Sequence, residues 1–183
     1  AVLVVAPPAF AQDDATLNLA EPDFTLVNLP TSLRLPTFGS AFRVTHRFVR
    51  PLKCDACANN VLEDLFGIDN GAVIGLEFRF GVVPNGEIVF HRARIDKTIQ
   101  LLGQYGMTRQ GARVPLEIAA LASMEGTDNF RDEYSPTVGL ILTRLFGERG
   151  AVHVEPLFVG NSNLFNPALE QDSTFMVGLG SRV

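Results

Sequence analysis

At 183 residues with a net charge of −5, the chain has the length of one domain and the wrong sign for a nucleic-acid partner. Charged residues make up only 19%, and phenylalanine numbers 14 against no tryptophan. No run nears the ~18 apolar residues of a membrane helix, so any membrane crossing falls to strands.

The opening AVLVVAPPAFAQDD reads as the second half of a secretory signal, with cleavage after Ala11. The alternative is a buried first strand. The signal reading makes residues 1–11 a signal-peptide remnant and the mature protein exported. Residues 12–36, interrupted by Pro22, Pro30 and Pro36, read as an extended N-terminal arm with little regular structure. Residues 37–183 then form a β-barrel domain, expected to be incomplete at its C-terminus.

That domain is a series of period-two segments, each about the 9–11 residues a tilted strand needs to cross a bilayer. SAFRVTHRFVR (40–50) sets Phe42, Val44, His46 and Phe48 against Arg43, Thr45, Arg47 and Val49. AVIGLEFRFGV (72–82) sets Ile74, Leu76, Phe78 and Phe80 against Glu77 and Arg79. EIVFHRARID (87–96) has no clean apolar face, so either a bulge changes its facing or its second half stands clear of lipid. TIQLLGQYGMT (98–108) opposes Ile99, Leu101, Tyr105 and Met107 to Gln100 and Gln104. VPLEIAALASM (114–124) opposes Ile118, Ala120 and Ala122 to Glu117 and Ser123. TVGLILTRLF (137–146) is nearly apolar on both faces, AVHVEPLFV (151–159) carries His153 and Glu155 on one face, and STFMVGLGSRV (173–183) is last.

Eight alternating strands also suit a soluble sandwich, so periodicity does not decide. Glycines inside strands (75, 81, 103, 139, 178 and 180) suit a crowded concave face. Connections 51–71, 125–136 and 160–172 read as long and 83–86, 109–113 and 147–150 as short, with the link at Lys97 the exception. Alternation by parity is what an outer-membrane barrel shows. The expected fold is an all-β, antiparallel up-and-down barrel. Arg43, Arg47, Glu77, Arg79, Gln100, Gln104, Glu117, His153 and Glu155 would face its lumen. Both signs occur, which favours a barrel filled by its own side chains over an ion-selective pore.

FRVTHRF, LFGIDNG, GLEFRFGV, DKT (96–98), RQG (109–111) and GLGSR stand in this order along the chain. Together they resemble the exported bacterial β-barrel family called domain of unknown function 5777, over about Leu35 to Val183. The resemblance implies further strands beyond Val183 and no catalytic residue to carry over, and with the basic half of the signal missing the sequence reads as truncated at both ends.

Cys54 and Cys57 form CDAC in the first long connection. In an exported protein the pair reads as a disulfide or spectator thiols ahead of a metal or redox site. A c-type haem would need histidine where Ala58 stands, and zinc would need two more ligands, with His46 and His91 on different strands. His153 and Glu155 lie two apart on one face, which favours a lumen salt bridge over a catalytic dyad, since no nucleophile motif accompanies them. No metal or cofactor is expected.

The expected function is a non-enzymatic outer-membrane barrel with a structural or small-solute transport role. Its expected partner is the lipid bilayer, with protein partners unnamed. The alternative is a soluble periplasmic, lipocalin-like barrel that binds an apolar ligand.

Overall fold

A computed structural model describes residues 21, 23–48, 72–111, 113–162 and 172–183. A two-stranded hairpin comes first, β1 (Thr25–Leu26) and β2 (Leu29–Pro30). Eight strands follow: β3 (Ser40–Phe48), β4 (Ala72–Val83), β5 (Gly86–Ala93), β6 (Ile99–Thr108), β7 (Glu117–Thr127), β8 (Asp132–Phe146), β9 (Gly150–Gly160) and β10 (Ser173–Arg182). Each of these pairs antiparallel with the next, in one sheet ordered from β3 to β10 without a crossover. This is the antiparallel up-and-down architecture that the alternating segments predict. Among the described residues β3 and β10 are not paired with each other.

Register follows from the pleat. Because side chains alternate, matching one apolar row to the next fixes every pairing. Thus Val44 faces Leu76, Phe78 faces Phe90, Leu101 faces Met124 and Phe158 faces Phe175. Phe42 and Phe78 stack with ring centroids 4.6 Å apart. This row is the outer face, and it stays open to the surroundings: Phe42 and Val44 are 57% exposed and Leu179 72%. The inner face is the opposite. It buries Glu77, Arg79, Glu87, Gln104, Thr143, His153 and Glu155, and its apolar cluster is small: Ala119, Leu121 and Ile141, with Leu102 and Leu157 packed on it. The chain is polar within and apolar without.

Three expectations need correcting. The connection read as 125–136 shrinks to the turn 128–131, because β7 and β8 keep pairing through Glu125–Ser135 and Gly126–Tyr134. Polar side chains hid these strand ends, since backbone pairing continues beyond the apolar rows. The β6–β7 connection (109–116) is meanwhile longer than that turn, so loop length does not sort by parity. Finally, Gly103 opposes Ala122 on the outer face, where a side chain would meet only the Ala122 carbonyl oxygen at 4.0 Å, unlike the crowded inner glycines. It floors a shallow groove of about 510 Å³ lined by Phe80, Ile88, Phe90, Leu101 and Val138 among others.

The difficult segment 87–96 resolves simply. Its regular part ends at Ala93, and a 3-10 turn over Ile95–Lys97 follows. Arg92 points to the strand end, where it donates to Asn129 Oδ1 at 3.0 Å and to the Ala93 carbonyl. Only the last three residues, 94–96, leave the sheet. The ladder irregularity lies instead in β4, between Gly81 and Val83.

The two ends of the sheet are knit separately. At one end the Asp128 amide donates to the Asp96 carbonyl and Lys97 Nζ to Asp128 Oδ1, both at 2.9 Å. At the other, Arg109 donates to Asn85 Oδ1 at 3.0 Å and Gln110 Nε2 to the Leu145 carbonyl at 2.8 Å.

Candidate functional site

The segment read from its prolines as an irregular arm lies against the inner face. Its hairpin closes on a two-residue turn whose Val27 has φ 59°, a strained value for a β-branched residue. From the hairpin the arm reaches both edges of the sheet. Arg43 on β3 donates to Asp23 Oδ1 at 3.0 Å and to Thr25 Oγ1 at 2.9 Å. Leu26 and Leu29 fill the space over Gly180 and Gly178 on β10, where a side chain on either glycine would collide. Adjacent arm residues therefore touch the first and last strands of an eight-stranded sheet, which requires the sheet to curl around them.

Further along the arm, the wall reads main-chain groups. Gln104 Nε2 donates to the Thr31 carbonyl at 2.9 Å, and the Leu35 amide donates to Glu87 Oε2 at 3.2 Å. The Phe24 ring sits 4.7 Å from the Arg79 guanidinium carbon. Arg34 lies where a methyl group on Gly106 would stand. The Pro36 carbonyl occupies the corresponding place at Gly81, while the Phe38 amide donates to the Gly81 carbonyl at 2.7 Å and the Gly81 amide to Gly39 at 2.9 Å. These last bonds anchor the arm where it turns into β3.

The wall's charges pair among themselves. Glu77 takes Arg79 on one oxygen at 2.7 Å and Arg43 on the other at 3.0 Å, and Arg79 also reaches Glu87 at 2.5 Å. Neighbouring charges of opposite sign offset the cost of burying each other, which is why four such groups fit one narrow face. On the arm, Ser32 Oγ lies 2.8 Å from Glu21 Oε1 and 2.7 Å from Glu117 Oε2. The hydroxyl thus bridges the two carboxyls, its one proton serving one acceptor at a time. Burial pushes the Glu21 carboxyl up; the Ser32 bond opposes that shift and the Glu117 charge adds to it.

The remaining positions singled out from sequence fall as follows. Gln100 is half-buried on the inner face, in register with His91 and Glu125. Arg47 is on the same face near the end of β3 and is exposed. His153 and Glu155 do not form a salt bridge: His153 Nδ1 bonds Thr143 Oγ1 at 2.9 Å, and neither Glu155 oxygen has a hydrogen-bond partner among the described residues. The reason is distance. Thr143 stands directly opposite His153, whereas residues two apart on a strand are separated by about 7 Å. His46 lies on the outer face and His91 on the inner, so the two do not converge. Among the described residues no group of three or more metal-ligating side chains occurs. Cys54 and Cys57 lie outside the described residues.

Sequence reasoning missed Glu87, Gly106 and the arm's own contributors Glu21, Ser32 and Arg34. Glu87 had a signal, because continuing its row through Val89 and His91 sets it beside Arg79. The arm had none, since its contacts are not periodic.

An antiparallel meander with an apolar outer row and a charged interior is the pattern of a membrane β-barrel. The chain belongs to the family described as a membrane bound beta barrel domain, domain of unknown function 5777, whose model matches residues 23–183. The matched span opens at Asp23, so it includes the arm from Asp23 onward but not Glu21. No curated protein and no solved structure matches the chain.

Proposed function

We propose that the protein is a non-enzymatic barrel of the bacterial outer membrane with a structural or small-solute transport role. One observation carries this reading: the sheet is inverted, with buried ion pairs inside and exposed phenylalanine, leucine and valine outside. An exposed apolar face of this extent marks a surface meant for lipid or a partner. The paired interior argues against an ion-selective pore, because no uncompensated ring of one charge lines it among the described residues.

The test is sidedness in cells. The Lys97–Asp128 end and the Asn85–Arg109 end should lie on opposite sides of the membrane. Single cysteines at Asp128 and at Asn85, in a background with Cys54 and Cys57 replaced by serine, should differ in labelling. A membrane-impermeant maleimide should modify one on intact cells and the other only after permeabilisation, with the protein retained in the outer membrane after a carbonate wash. Equal labelling of both sites, together with release by the wash, would overturn the reading.

A further inference from the structure

The arm fills the inner face without being woven into it. Its hairpin forms a separate two-stranded sheet, and no backbone ladder joins it to β3 or β10. Ahead of the anchor at Gly81, its attachments to the wall run through side chains: Arg43, Gln104, Glu87 and Glu117.

From this we infer that residues 23–36 are a releasable plug, a segment whose withdrawal opens the inner face to small polar solutes; the inference rests on the transport reading above.

Two properties make the docked arm easy to release. The first is that the docked state carries costs of its own. Val27 is held at positive φ, and Nε and Nη1 of Arg34 are buried without hydrogen-bond partners among the described residues. The second is that the wall survives the departure. Glu77, Arg79, Glu87 and Arg43 stay bonded to one another when the arm leaves, so none of these four charges is stranded. Emptied notches over Gly106, Gly178 and Gly180 would then widen the path. The bonds between Gly81 and the Phe38–Gly39 turn remain as the fixed point about which the arm swings.

The test pairs a reporter of the arm with a reporter of the path. The chain holds no tryptophan, so Phe24→Trp keeps a ring on Arg79 and reports docking by its resistance to acrylamide quenching. Two variants should expel the arm from opposite partners: Leu29→Asp on the arm and Gly178→Val on the wall. Folding is followed by heat-modifiable gel migration, and the path by channel openings in planar bilayers. Raised quenching together with openings about tenfold more frequent than in the parent is the result expected of either variant. Raised quenching with unchanged openings in a parent that already conducts would overturn the plug and leave the transport reading intact. Raised quenching with no openings in any form would remove both. A folded variant with unchanged quenching would show that the leucine–glycine contact does not hold the arm, and so also overturns the plug.

Discussion

Glu87 holds Arg79 on one carboxylate oxygen at 2.5 Å and the Leu35 amide on the other at 3.2 Å. A single wall residue thus ties the barrel's charge ladder to the arm. Glu87→Ala should be among the most damaging single substitutions, because it leaves the buried Arg79 with fewer partners. Its expected cost is roughly 3–5 kcal/mol, read from urea unfolding in vesicles. Glu87→Gln should cost less, since its carbonyl oxygen still accepts from Arg79 or Leu35. Equal midpoints for Ala, Gln and the parent would show that Glu87 ties nothing.

Val44 tests the outer face. It sits mid-strand opposite Leu76, with 57% of its surface exposed. Val44→Arg should cost about 2–4 kcal/mol in a bilayer, whereas Val44→Phe should be nearly neutral. The ratio of folded to unfolded bands after reconstitution measures both. A soluble protein would tolerate the arginine.

Glu21 gives the arm a pH dependence of definite sign. Its carboxyl is raised chiefly by burial, with Ser32 lowering it and Glu117 raising it further. The group prefers its proton when docked. Its contribution to docking is therefore full below the ordinary glutamate range and is lost as pH rises through the raised value. Other charges around this point are Arg34 on the arm, Glu87 on β5, and Arg109 in the β6–β7 connection. Acrylamide quenching of the Phe24→Trp reporter should rise as pH climbs from below the ordinary glutamate range through the raised value, and Glu21→Gln should flatten that rise. A rise of the same size in Glu21→Gln would assign it to another group.

The Lys97–Asp128 bridge should matter little. Its hydrogen bond and charge hold the Asp128 carboxyl low, which favours the fold above the ordinary aspartate range and fades as pH falls through the lowered value. Both side chains are exposed to solvent, which screens the pair. Asp128→Asn should leave the unfolding midpoint unchanged. Asp128→Pro should lower it, because the amide bonded to the Asp96 carbonyl is lost and φ 43° is closed to proline. A shift from asparagine as large as that from proline would contradict this.

The sheet was legible in the sequence because its determinants are local. Rows such as Ile74–Leu76–Phe78–Phe80 against Glu77 and Arg79 announce strand and facing together, and their matching sets the register. Strand ends were less legible: Glu125 and Asp132 look like loop residues, yet they sit on strands that extend past the apolar band. The site was legible only in part. Arg43, Glu77 and Arg79 stand in rows that bring them together, whereas the arm docks through contacts such as Leu35–Glu87, 52 residues apart, and Ser32–Glu117, 85 apart. Neither proline spacing nor hydropathy encodes such pairings. The glycines were noticed as a group, but what Gly106, Gly178 and Gly180 make room for belongs to the arm.

The most direct test is a spin-label scan along β4, residues 73–82, in bilayers, with Cys54 and Cys57 replaced by serine. Oxygen accessibility should oscillate with period two, high at Ile74, Leu76, Phe78 and Phe80. At Glu77 and Arg79, accessibility to a water-soluble nickel chelate should be low, because the arm covers them. A flat oxygen profile would contradict the lipid-facing sheet. A chelate signal at Glu77 and Arg79 as high as in a water-filled lumen would contradict the filled interior.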